Sequence, residues 1–175
     1  MPNTFTKIAS VTIGSSGPSS IDFTSIPSTY TDLQIVLSQR GTNAAAIESN
    51  FIRFNLDDTG SYDYTAILAQ TGLSAQSATN QTYFLSYSLS GGTSTANTFG
   101  SMQIYIPNYA GSSNKSISLD AVAENNTTAN DTFRLSLVSA LWKKTAAINR
   151  VTIYTFSGSN FAQYTTATIY GIKNS

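Results

Sequence analysis

Short runs of strict two-residue alternation fill this chain, each closed by a cluster of Ser, Thr, Asn, Gly or Pro. No stretch keeps a helical period for more than about eight residues. A period of two sends successive side chains to opposite faces of a pleated strand, so each run predicts a half-buried strand. In "TDLQIVLSQR" (31–40), Leu33, Ile35 and Leu37 share a face, and in "KSISLDAVAE" (115–124) Ile117, Leu119, Ala121 and Ala123 do. In "NFIRFNL" (50–56), Ile52, Phe54 and Leu56 oppose Phe51 and Arg53, and "TFRLSLVSAL" (132–141) puts Phe133, Leu135 and Leu137 together. Further strands are predicted in "FTKIASVTIG" (5–14), with a phase change near Ala9-Ser10 that suggests a bulge, and at 82–89, 99–106, 148–156 and 164–172.

Alternating strands without helices between them lead to an all-β, antiparallel β-sandwich of jelly-roll type, with about eight to ten strands, as one domain over residues 1–175. Ala44–Asn50 is expected to be a loop or single turn. The intervals 57–81 and 90–98 are the longest strand-poor ones, and they should form connections at the ends of the sandwich, where binding surfaces and subunit contacts gather. In "MQIYIPNYAGSSNK" (102–115), Pro107 removes a ladder donor and should end a strand. With Asn108 completing that stop, Tyr109 to Asn114 then forms an end loop, free for subunit or lattice contact.

The chain contains neither His nor Cys, which removes imidazole bases, thiol nucleophiles, disulfides and Cys-ligated zinc. Nine acidic residues balance nine basic ones, and the longest basic run is Lys143-Lys144. A duplex nucleic-acid footprint needs clustered positive charge, so no nucleic-acid partner is expected. The opening "MPNTFTKIAS" has no long apolar run, and no apolar stretch is long enough to span a bilayer, so neither a leader nor a membrane partner is expected. A neutral body suits a protein built into a larger assembly, because net charge is what keeps free monomers apart.

Few residues are left that could carry chemistry. Asn55, Asp57, Asp58, Gly60 and Asp63 place oxygens around a glycine, as calcium loops do. The spacing departs from the twelve-residue EF-hand pattern and no Glu closes the loop, so an Asp-capped turn is the competing reading. A glycoside-hydrolysing carboxylate pair would have to come from Asp57, Asp58, Asp63, Asp120, Glu124 and Asp131. Asp120 and Glu124 would lie about 13 Å apart along one strand face, too far for such a pair. No metal site, cofactor or catalytic residue is therefore expected. Tyr is abundant, with ten residues. Tyr62, Tyr64, Tyr109 and Trp142 are the candidate contact-loop residues, since aromatics at loop ends serve interfaces and sugar stacking as readily as cores.

Four ordered blocks carry a resemblance: "FTKIASVTIG" with "SSIDFTSIPSTYTDLQIVLSQR", "IRFNLDDTGSYDY", "FGSMQIYIPNYAGSSNKS", and "ALWKKTAAINRVTIYTFSGSNFAQYTTATIYGIKNS". Together they resemble a group of small virion structural proteins of tailed bacteriophages, over most of the chain except 65–98. The resemblance implies a non-enzymatic jelly-roll module, made in the host cytoplasm and mounted on the virion. The first placement is a capsid decoration or cement protein, trimeric, on the outer surface of the icosahedral shell, with the major capsid protein as partner. The alternative is a tail-fibre or spike receptor-binding module whose tip, built from Tyr62, Tyr64, Tyr83 and Tyr87, recognises a host surface glycan. A polysaccharide-degrading enzyme using Asp63 or Glu124 is the remote third reading.

Overall fold

The computed structural model describes residues 4–126 and 133–173. Asp131 lies outside the described residues. Among those described, twelve strands form two antiparallel sheets. They are β1 (Phe5–Thr12), β2 (Ser20–Phe23), β3 (Asp32–Gln39), β4 (Ile47–Phe54), β5 (Tyr62–Ala69), β6 (Leu73–Gln81), β7 (Phe84–Ser90), β8 (Gly100–Ile106), β9 (Lys115–Glu124), β10 (Phe133–Trp142), β11 (Val151–Thr155) and β12 (Thr166–Ile172). The larger sheet runs β1-β12-β3-β8-β9-β10-β5-β6 and the smaller runs β2-β11-β4-β7. The molecule is an open all-β sandwich of eight strands over four. No described helix is long and apolar enough to cross a membrane.

The pairings nest. β1 pairs with β12, β2 with β11, β3 with β8, and β4 with β7, like one long hairpin folded over on itself. Two further hairpins interrupt this frame. β5–β6 leaves between β4 and β7, β9–β10 leaves between β8 and β11, and both join the larger sheet, which overhangs the smaller. The phase change near Ala9 appears as a register shift between Lys7 and Ala9. β8 ends at Ile106, before Pro107.

Alternation decides what is buried. Leu33, Ile35 and Leu37 of β3, Met102, Ile104 and Ile106 of β8, and Ile117, Leu119, Ala121 and Ala123 of β9 all face the smaller sheet. Ile52, Phe54, Phe84, Val151 and Ile153 meet them from the other side. Each large apolar side chain removed from water in this way stabilises the fold by about 1.5–3 kcal/mol.

Sequence and structure part at four places. β5 and β6 occupy the strand-poor interval 57–81, expected to be a connection, and β2 is a strand of only four residues. β6, "LSAQSATNQ", is exposed or half-exposed throughout, because the smaller sheet does not reach it. With Ala78 alone packed against the core, there is no apolar alternation to read. Ala44–Asn50 is not a turn along its length. β4 begins at Ile47, and its first two inward positions are the polar Glu48 and Asn50, which hides the period. Leu56 leaves the face of Ile52 and Phe54, since it lies past the end of β4 at φ 58° and is exposed.

Candidate functional site

The four aromatic candidates all lie in the core instead of on accessible loops. Tyr62 and Tyr109 have no exposed surface, Trp142 retains 2% and Tyr64 8%. Tyr62 at the start of β5 and Trp142 at the end of β10 are register partners, and their rings stack at 6.4 Å. Phe54 meets Trp142 edge-on at 5.6 Å and Phe84 lies 5.5 Å from Phe54, so this cluster joins the two sheets. The polar tips are satisfied internally. The Phe54 amide donates to Tyr62 Oη at 2.7 Å, and Trp142 Nε1 donates to Asp57 Oδ2 at 2.7 Å. Tyr109 Oη donates to the Pro27 carbonyl.

The loop after Pro107 is pinned at its start. Asn108 N donates to Asp32 Oδ1 at 2.9 Å, and the Ile148 amide donates to the Tyr109 carbonyl at 3.0 Å. Lys115, almost fully buried at an inward position of β9, donates its ammonium to the carbonyls of Gly111, at 2.8 Å, and Ser113. The loop is closed around its own lysine, while Ser112, Ser113 and Asn114 stay exposed.

The acidic cluster does not converge. Asp57 Oδ1 accepts from the amide and hydroxyl of Thr59 at 3.1 and 2.6 Å, while Oδ2 faces Trp142. Asp63 turns to a different side and accepts from Lys143 Nζ and the Asn80 amide, both at 2.8 Å. Asp58 is exposed. Among the described residues, no three acidic groups come together as a metal would require. Asp120 faces solvent, and Glu124 accepts from the Asn126 amide past the end of β9.

Burial raises the Asp57 carboxyl, but hydrogen bonds from Thr59, Trp142 and Ser61 outweigh it and hold the group at about 2 instead of 3.8. A depressed carboxylate contributes stability that is complete above its unfolded value and is lost as pH falls through the folded one. Urea unfolding should therefore give a stability that drops by about 1–2 kcal/mol between pH 4 and pH 2 through this group. Asp57→Asn should be less stable at pH 6 and show a flatter decline over that interval.

Two surfaces stand out among the described residues. The first is the outer face of the overhang. Phe133, Leu135 and Leu137 do share a face of β10, but it is the outer one, with exposures of 46, 40 and 50%. Leu137 is opposite Ile67, and Leu135 lies between Ala69 and Val122. With Leu73, at 81% exposure, these side chains form an apolar field on β9, β10, β5 and β6. Across β8, β3 and β12 the same face turns polar through residues such as Ser101, Gln103, Ser38 and Thr168. Monomeric proteins seldom leave a contiguous apolar field of this kind wet.

The second surface is a recess of about 290 Å³ at one end of the sandwich, bordered by Arg40, Asn97, Phe99, Gln163 and Tyr164. Arg40 builds it. One terminal guanidinium nitrogen donates to the carbonyls of Thr95 and Thr98 at 2.8 and 3.0 Å, and the other to those of Ser94 and Gly92 at 2.7 and 3.2 Å. The whole loop between β7 and β8 is thus wrapped around one side chain. Buried Glu48 braces the neighbouring loop, accepting from the Ser157 amide at 3.1 Å and from the Ser159 hydroxyl at 3.2 Å.

Tyr164 stands on the rim, 65% exposed, with φ +71°. It is third in a turn closed by Thr165 N donating to the Ala162 carbonyl at 3.2 Å, a place that favours Gly or Asn. A bulky residue there costs about 1–2 kcal/mol, and this ring recovers little of it by burial. Sequence pattern locates the 90–98 loop but not this rim, because a left-handed backbone at a tyrosine leaves no mark in hydrophobic periodicity.

No family description matches the sequence, and no curated protein does. Among solved structures, the chain is similar to a galectin of Caenorhabditis elegans, LEC-6, at 10% identity and TM-score 0.32, over 94% of this chain and 96% of the galectin. It is similar to the eqolisin-family peptidase SCP-B at 9% identity and TM-score 0.26, over 97% of this chain and 64% of the peptidase. A fructofuranosidase from Schwanniomyces occidentalis follows at 10% identity and TM-score 0.29, over 99% of this chain and 35% of the enzyme. These likenesses are too slight to carry an argument about what this chain does.

Proposed function

We propose that this chain is a non-enzymatic structural protein of a phage virion, a jelly-roll decoration protein that cements the outer surface of the icosahedral capsid. The nested pairing of β1/β12, β2/β11, β3/β8 and β4/β7 supports the jelly-roll reading, with β5–β6 and β9–β10 as insertions. The observation that carries the functional reading is the apolar field on those inserted strands, centred on Leu135 and Leu137. The inserted strands complete the core on their inner side, and their outer face is broad and mostly apolar, interrupted by Asp120 beside Leu137 and Glu124 beside Phe133. Such a face suits adhesion by area and repetition, with the major capsid protein beneath and trimer mates alongside.

The tail-mounted alternative loses two of the four side chains proposed for its tip, since Tyr62 and Tyr64 are buried. The enzyme reading is weakened by Asp63, which is engaged by Lys143. Copy number in the particle tests the proposal. Cryo-electron microscopy of the intact virion with quantitative mass spectrometry should find this protein at hundreds of copies on the shell. A few to a few dozen copies at the tail would replace the decoration role with host recognition, and absence from the virion would end both.

A further inference from the structure

We infer that the recess under Tyr164 is a binding site for a neutral saccharide, independent of where the protein is mounted. The argument starts from what the Arg40 guanidinium cannot do. Its terminal nitrogens are already directed at the carbonyls of Gly92, Ser94, Thr95 and Thr98. The fork that would grip a phosphate or carboxylate is therefore spent on the wall of the site. The recess is bordered by an exposed phenol ring, the partly exposed Phe99, and the exposed Asn97 and Gln163, whose side chains end in primary amides. Each amide offers a donor and an acceptor side by side, which is what neighbouring hydroxyls of a sugar ring require. An aromatic face takes the C–H side of the same ring. The volume, about 290 Å³, is at the small end of ligand pockets and suits a monosaccharide or disaccharide.

The strain at Tyr164 supports the same reading. Glycine would relax the turn, yet the slot holds a large ring that is mostly in water. Strained residues that gain nothing from packing gather at ligand sites. The walls are preformed, because Arg40 holds one loop and Glu48 braces the other, so a ligand need not order them.

The test is saturation-transfer NMR and titration calorimetry on the full chain. The probes are glucose, galactose, mannose, N-acetylglucosamine and their common disaccharides, with inorganic phosphate and glucuronate as anionic controls. At least one neutral sugar should bind with Kd in the range of about 0.1–10 mM. Tyr164→Phe should bind within about threefold of the parent, and Tyr164→Gly should bind at least about tenfold more weakly while melting at a higher temperature. Asn97→Ala with Gln163→Ala should weaken binding without that rise. The inference is overturned if no neutral sugar in the panel binds, if Tyr164→Gly binds as the parent does, or if phosphate or glucuronate binds in place of the neutral sugars.

Discussion

Trp142→Ala should cost this protein about 3–5 kcal/mol, a large part of the 5–15 kcal/mol that holds most domains folded. The soluble yield should fall sharply, and what folds should unfold at much lower urea. The substitution does more than empty a volume. Trp142 ends β10 in the larger sheet, stacks on Tyr62, and presents its edge to Phe54 of the smaller sheet. Its removal opens a void where the two sheets meet and deprives Asp57 of the indole donor. Trp142→Phe separates these effects, since it keeps most of the ring contact and loses only the N–H. It should cost about 1–2 kcal/mol and raise the pH at which acid unfolding begins. Circular dichroism is the suitable probe, because Trp142 is the chain's single tryptophan. Leu137→Ala is the control, since a residue on the open face of the same strand should shift stability by no more than about 0.5 kcal/mol.

The contrast between these two positions of β10 marks where sequence reading succeeds and where it stops. Period two is a statement about faces, and it sorted Leu33, Ile35 and Leu37, and Ile117 to Ala123, correctly because their strands lie in the middle of the covered sheet. On β10 the same period groups Phe133, Leu135 and Leu137 but does not say which side is inward. The inward set, Ser136, Val138, Ala140 and Trp142, is smaller and more polar at one end than the outward one. β6 is a strand mainly by pairing, held to β5 from Leu73 to Gln81, with Ala78 its one apolar side chain packed against the core. The recess is invisible for another reason. It depends on a guanidinium bonded to four carbonyls across more than fifty residues of chain, and on one left-handed tyrosine. Neither is a property of a local pattern.

The outward set on β10 is therefore where a functional defect should arise without a folding defect. A double variant, Leu135→Glu with Leu137→Glu, should keep its melting temperature within a few degrees, because both side chains already face water. Its occupancy on the virion should fall by at least about 100-fold. A fully exposed leucine that goes from water into an interface contributes about 1.5–3 kcal/mol; these two are already about half covered, so the pair contributes about 1.5–3 kcal/mol. At about 1.4 kcal/mol per tenfold that is one to two decades, and the cost of burying two carboxylates and repetition over a lattice carry the loss further. Adding charge to a neutral protein is itself a perturbation, so Ser10→Glu with Ser38→Glu provides the comparison. It places the same charge on the same sheet, on exposed positions of β1 and β3 away from the apolar field. Particles assembled with the serine pair should carry nearly normal amounts of the protein, and those with the leucine pair almost none. Equal loss from both would make the contact electrostatic and spread over the face. Full occupancy with the leucine pair would free the apolar field from the shell and move the attachment elsewhere on the chain.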